Sequence, residues 1–239
     1  MACDEGVRPI ADLLDEVRGK VAEACARAGR KPEEVEIMGV TKTHGPEVVG
    51  EAWEAGIRVF GENKVQEAAW KIPQCVSGPE WHLIGHLQRN KVRPALELFS
   101  TFHSVDSLKL LDQIERVAEE SGHRPEIYLE VNVSGEASKD GLPPEQVPAV
   151  IEAALNCRNL TLTGLMTMAP FAPDPESVRG VFAKLRECRD TWERDLGIGL
   201  PNLSMGMSHD YLVAIEEGST CVRLGTVLFG ARPKLALGR

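Results

Sequence analysis

Lys42 is the residue whose setting could do chemistry. It stands in Val40-Thr41-Lys42-Thr43-His44, where the apolar run 35–40 gives way to a polar loop. A lysine leaving a buried strand is either an ordinary surface cation or an amine held for carbonyl chemistry. Only a desolvated or electrostatically tuned amine reacts near neutral pH. A second group is rich in hydroxyls and glycine. Ser204-Met205-Gly206-Met207-Ser208 leads into a helical stretch, and Gly225-Thr226 follows Cys221-Val222-Arg223-Leu224. Backbone N–H groups and hydroxyls at such corners can hold an anion. Taken locally, Ser208 is equally a helix N-cap and Gly225 a turn residue.

Whether these residues meet depends on the elements that carry them. Ile10, Leu13, Leu14, Val17, Val21, Ala24, Cys25 and Ala28 fall at helical spacing, and Gly29 can close that helix. Strands are then predicted over residues 35–40, 58–60, 81–85, 102–105, 126–133, 160–168, 203–205 and 221–224, with helical stretches between them. Pro46 and the pair Pro143-Pro144 open two of those helices, and Gly56 and Gly122 end two. Strand and helix alternating after a leading helix predict an α/β fold of the closed (β/α)8 TIM barrel type. An open doubly wound sheet is the alternative, because periodicity does not show closure. No linker or shift in composition divides the chain, so residues 1–239 read as one domain.

In such a barrel, chemistry sits at the C-terminal ends of the strands. That rule gathers Lys42 after the first strand, Asn63 after the second, and His82, Ile84 and His86 around the third. It adds Ser204, Gly206 and Ser208 from the seventh, and Arg223, Gly225 and Thr226 from the eighth. The fifth strand alternates. Ile127, Leu129 and Val131 should face the helices, which puts Tyr128, Glu130 and Asn132 inside the barrel. An amine on one side of the mouth and an anion corner on the other suit an aldehyde that carries a phosphate. Pyridoxal 5′-phosphate is such a molecule. Its aldehyde would condense with Lys42, and its phosphate would rest on Ser204, Ser208, Gly225 and Thr226. Arg223 would reach the pyridine nitrogen and keep it unprotonated. A barrel that binds another phosphate with no Schiff base is the competing reading. Lys139, in the loop after the fifth strand, is either a second amine that receives the aldehyde from Lys42 or a solvated loop lysine.

The remaining composition narrows the class. The net charge of −9, from 36 acidic and 27 basic residues, argues against a nucleic-acid partner but allows a small anionic ligand. Six scattered cysteines without a Cys-x-x-Cys pair read as reduced thiols. The acidic start and the lack of any apolar run near ~18 residues point to a soluble, cytoplasmic protein with no membrane partner. No heptad pattern marks a dimer stripe, so a monomer is the default. His82 and His86 are four apart on a strand-to-loop segment, where that spacing does not bring two rings to one face, and no metal site is expected.

The same residues resemble the pyridoxal-phosphate homeostasis proteins, the YggS/PROSC group. The matching stretches are Val40-Thr41-Lys42-Thr43, Phe60-Gly61-Glu62-Asn63-Lys64-Val65-Gln66-Glu67, residues 81–91, and Gly164-Leu165-Met166-Thr167-Met168. Leu203 to Ser208 and Val222-Arg223-Leu224-Gly225-Thr226 with Phe229-Gly230 complete the set, in order across nearly the whole chain. The continuation Thr43-His44-Gly45 departs from the lysine-proline common after the cofactor lysine. The resemblance implies a fold like the N-terminal barrel of alanine racemase, with the cofactor carried as a Schiff base on Lys42. It also implies a carrier in vitamin B6 homeostasis that hands the cofactor to apo-enzymes, without established turnover. The alternative is an amino-acid racemase, which needs acid–base groups on both faces of its substrate. In alanine racemases one is the lysine and the other a tyrosine from a separate domain of the partner subunit. This chain has only Tyr128 and Tyr211.

Overall fold

A computed structural model describes residues 8–136 and 140–230. Eight strands run in parallel: β1 (Glu36–Val40), β2 (Val59–Glu62), β3 (Glu80–Leu83), β4 (Thr101–Val105), β5 (Glu126–Glu130), β6 (Thr161–Met166), β7 (Asn202–Met207) and β8 (Cys221–Leu224). Each pairs with the next in sequence, and β8 returns to β1, with Glu36 opposite Cys221 and Gly39 opposite Leu224. That last pairing closes the sheet, so the molecule is a (β/α)8 barrel and the open-sheet alternative is removed. The helices are α1 (Ile10–Arg27), α2 (Pro46–Ala55), α3 (Val65–Lys71), α4 (Val92–Leu96), α5 (Leu108–Ser121), α6 (Val147–Leu155), α7 (Arg179–Leu196), α8 (Tyr211–Glu216) and α9 (Thr226–Phe229). The leading helix α1 buries Leu14, Val17, Val21, Ala24 and Cys25 and packs against α2, α8 and α9.

Strand alternation divides the apolar residues between two cores. Phe60, Leu83, Phe102, Ile127, Leu129, Leu165, Leu203 and Val222 belong to the large core between strands and helices. Met38, Val59 and Cys221, with Ile84 beside them, form a small separate cluster inside the barrel. Buried polar residues, among them His82, His103, Glu130 and Arg223, share that interior.

Several strand ends differ from the sequence expectation. β2 continues through Gly61 and Glu62, which pair with His82 and Leu83. A glycine reads as a breaker, but a parallel ladder needs only its backbone. β5 stops at Glu130. Val131 then makes an isolated bridge to Leu142, and Asn132 turns aside so that its Nδ2 donates to the Glu136 carbonyl. β7 extends to Met207 through a break in register between Ser204 and Met207 opposite β8. Gly206 lies in that break with φ +94°, and a Cβ there would stand 2.6 Å from Ala214 Cβ on α8. Gly206→Ala is therefore expected to cost about 1–3 kcal/mol through overpacking and left-handed strain, read as a lower urea midpoint. Among the described residues, no helix is long and apolar enough to cross a membrane.

Candidate cofactor site

The site begins with the loop that carries Lys42. Met38 lies in the barrel interior, and Val40 and Lys42 continue that inward face to the mouth. Thr41, one position off, faces the helix layer and is fully buried. It is held there by Lys71 at the end of α3, whose side chain is also fully buried. Lys71 Nζ donates to the Thr41 carbonyl (2.8 Å), to Glu62 Oε1 (2.7 Å) and to Glu67 Oε1 (3.1 Å). These three acceptors match the three hydrogens of the ammonium. Thr41 Oγ1 donates to Glu62 Oε1 at 2.7 Å, and the Thr43 amide donates to Glu67 Oε1 at 2.5 Å. Thr43 has φ 68°, the only non-glycine residue in the left-handed region among those described. One buried lysine and two glutamates thus hold the peptide on both sides of Lys42. Burial pushes the Glu62 carboxyl up, and the Lys71 ammonium pulls it back.

Lys42 opens into a cavity of about 870 Å³ at the C-terminal ends of the strands. Of the eight residues proposed from sequence, Lys42, Asn63, Ser208, Arg223, Gly225 and Thr226 line it. Asn63 is kept at the mouth by a close backbone approach, since a Cβ on Gly85 would meet Asn63 O at 2.3 Å. The Ser208 hydroxyl accepts from the amides of Gly225 (3.1 Å) and Val227 (3.3 Å). Its own O–H remains a donor, the kind of group an anion requires. Met168, Phe171 and Met207 form an exposed apolar rim.

Ser204 and Gly206, the other two residues proposed from sequence, do not line this cavity. Strict alternation would put 204, 206 and 208 on one face, but the register break in β7 separates them. Gly206 packs against α8. Ser204 is fully buried below the cavity, where Arg223 Nη1 donates to its carbonyl (3.1 Å) and its Oγ (2.9 Å). Arg223 Nη2 donates to the Thr167 carbonyl at 2.9 Å. Ser204 therefore fixes the arginine.

Glu130 is not among those eight residues, although the strand-five alternation already turned it inward. It lines the cavity, is nearly fully buried, and burial raises its carboxyl to about 7 against the pull of Arg223. Tyr128 also points into the barrel, stacked on His103 with centroids 4.2 Å apart. The two histidines four apart take different partners. His82 Nδ1 lies 2.9 Å from His103 Nε2 inside the barrel, whereas His86 Nδ1 lies 3.0 Å from Asp106 Oδ2 at the rim. His86, Asp106 and Asp140 have ligand-type atoms within 4.8 Å of one another, in an exposed to half-buried setting. Cys221 is enclosed, and burial pushes its thiol up to about 12, so it is not a nucleophile. Lys139 lies outside the described residues.

Residues 14–233 match the family model for the alanine racemase N-terminal domain. A pyridoxal phosphate homeostasis protein of Aquifex aeolicus is 44% identical over 222 residues, which is 92% of this chain and 97% of that protein. The chain belongs to the pyridoxal phosphate homeostasis protein family. Its Escherichia coli K12 member is 38% identical over 230 residues, covering 93% of this chain and 97% of that one. Among solved structures, PipY of Synechococcus elongatus with PLP bound superposes with a TM-score of 0.82 at 34% identity, covering 92% of this chain and all (100%) of PipY. An alanine racemase of Clostridium difficile shares the fold with a TM-score of 0.75 at 16% identity, over 93% of this chain and 57% of the racemase. The family's barrel is thus the whole of the match here, whereas the racemase extends well beyond it.

Proposed function

We propose that this chain binds pyridoxal 5′-phosphate in the mouth cavity as a Schiff base on Lys42. It then acts as a carrier or reservoir that passes the cofactor to apo-enzymes in vitamin B6 homeostasis. The observation that carries the reading is a single cavity with the Lys42 amine on one wall and the Ser208–Gly225–Thr226 donor corner on another. The donor chemistry fits the molecule. A guanidinium only donates, which suits a ring nitrogen bearing a lone pair, and the hydroxyls of Ser208 and Thr226 suit a phosphate. The PLP-bound PipY relative supports the same ligand class. When bound, the cofactor supplies an aldehyde, with which a lysine amine condenses with loss of one water. The chain's own part is to hold the Lys42 peptide rigid from Lys71, to offer N–H donors from Arg223, and to line the mouth with Ile84 and Met207. The free thiols of Cys25, Cys75, Cys157, Cys188 and Cys221 suit a reducing, cytoplasmic setting.

The test is absorbance followed by borohydride trapping. The protein incubated with pyridoxal 5′-phosphate is expected to turn yellow. Borohydride should remove the band and leave added mass on the Lys42 peptide, and Lys42→Ala should lose both. A colourless protein with no added mass defeats the reading. A racemase remains the second reading because Glu130 is a buried carboxyl titrating near neutrality in the cavity that Lys42 lines, which is what acid–base chemistry needs. Neither tyrosine lines the cavity. Exchange of the α-protons of amino acids by the loaded protein is expected to be absent. Turnover that disappears in Lys42→Ala would replace the carrier with the racemase.

A further inference from the structure

A row of polar side chains crosses the barrel interior below the cavity. Arg223 Nη1 lies 2.9 Å from Ser204 Oγ, Ser204 Oγ 2.8 Å from His103 Nδ1, His103 Nε2 2.9 Å from His82 Nδ1, and His82 Nε2 3.1 Å from Glu80 Oε1. Glu80 begins β3, so the row runs from the N-terminal end of the barrel to the cofactor mouth. His103 is fully buried and stacked on Tyr128 at an interplanar angle of 13°.

The chemistry of the two ends gives the row a direction. A guanidinium can only donate and a carboxylate can only accept. Ser204 Oγ accepts from Arg223 and is free to donate to His103 Nδ1. His103 then carries its proton on Nε2 and donates to His82 Nδ1. His82 in turn carries its proton on Nε2 and donates to Glu80. Every link has one donor and one acceptor with both rings neutral. With both rings neutral, the opposite order would set an unprotonated His82 Nε2 against a carboxylate. Two further observations agree. The hydrogen bond from His82 holds the Glu80 carboxyl below its usual range, which keeps it an acceptor. Burial, with His82 and Arg223 nearby, holds His103 well below the usual imidazole range.

We propose that Glu80, His82 and His103 are positioning residues for Arg223. They form a one-way hydrogen-bond chain by which a carboxylate at the far end of the barrel fixes Ser204 and, through it, the guanidinium that faces the cofactor. The consequence for the ligand rests on the reading of the cavity as a pyridoxal-phosphate site, whereas the chain itself does not. A chain of this kind orients its members more firmly than isolated pairs do, because each link sets the tautomer of the next.

The experiment has two arms. Long-range ¹⁵N–¹H correlation on the full chain without added cofactor reads the ring tautomers directly. Both His82 and His103 are expected as neutral Nε2–H rings at pH 7. Glu80→Leu removes the terminal acceptor and should bring in the Nδ1–H form at His103. Glu80→Gln keeps a carbonyl acceptor and should retain the parent tautomers. The second arm is the absorbance maximum of added pyridoxal 5′-phosphate after binding, which should shift in Glu80→Leu and not in Glu80→Gln, while borohydride still traps mass on Lys42. A parent His103 that carries its proton on Nδ1 or is charged at pH 7 overturns the proposal. So do tautomers unchanged in Glu80→Leu, or tautomers that change with no shift in the spectrum. A parent that takes up no cofactor counts against the proposed function alone, since the first arm still decides the chain.

Discussion

Lys71→Met is expected to lower folding stability by about 3–5 kcal/mol, the range for removing one partner from a buried ion pair. The side chains of Lys71 and Glu62 are both fully buried, so the variant leaves a carboxylate with no compensating charge. Glu62 Oε2 has no hydrogen-bond partner among the described residues, so the remaining support would be the Thr41 hydroxyl on Oε1. The same change strips the ammonium from the Thr41 carbonyl and from Glu67, which holds the Thr43 amide in its left-handed turn. The Lys42 loop should loosen together with the fold. Urea unfolding reads the first effect, and hydrogen exchange at the Thr41 to Thr43 amides reads the second. Glu62→Leu combined with Lys71→Met removes both charges and should recover most of the loss, because an apolar pair of similar volume carries no desolvation penalty. A single Lys71→Met variant within 1 kcal/mol of the parent would sink the account. Lys42→Met is the contrast. Lys42 is only half-buried at the mouth, and its loss should fall in the range of ordinary surface changes, within about 0.5 kcal/mol.

That clamp also marks where sequence reasoning reaches its limit. The barrel is legible because strand and helix alternate along the whole chain, and Lys42 is legible because it follows directly on the end of the first strand. Glu130 is legible in the same way, from three apolar and three polar residues taken in turn. Lys71 is different. With Glu67 four positions earlier it reads as a solvated pair on a helix face, the commonest place for such a pair. Nothing local says that α3 turns that face into the barrel wall, where lysine is rarely found. Ser204 and Gly206 fall outside the cavity lining for a second reason. Their assignment needs a period of two through β7, and the break opposite β8 inserts a residue that no side chain announces. The glycine at 206 is the one local trace of it. Elements and inward faces can thus be read residue by residue, but burial of a charge and slip of a register are set by the neighbouring element.

Glu130→Gln is expected to stabilise the protein above neutrality by about 3 kcal/mol and to leave it unchanged near pH 4. Burial lifts the Glu130 carboxyl from an ordinary 4.5 to about 7, with Asp106 and Asp140 adding to the rise and Arg223 opposing it. The folded chain therefore holds a proton there that the unfolded chain has already released. Stability contributed by the protonated form is fully present below the unfolded value. It falls as pH rises from about 4.5 to about 7, and it stays lost above that. At about 1.4 kcal/mol for each tenfold change, the span gives the figure of about 3 kcal/mol. Glutamine keeps the shape and the polarity without an ionising proton, so its curve should lack this descent. Histidine titrations common to both proteins cancel in the difference. The measurement is a urea series from pH 4 to pH 8 on both chains. Parallel curves would mean that Glu130 ionises as an exposed carboxylate does and cannot serve as a proton donor beside Lys42. A gap that opens between pH 5 and pH 7 would place a half-protonated carboxyl in the Lys42 cavity at physiological pH, the condition under which it could supply the proton that water needs to leave when an amine and an aldehyde condense.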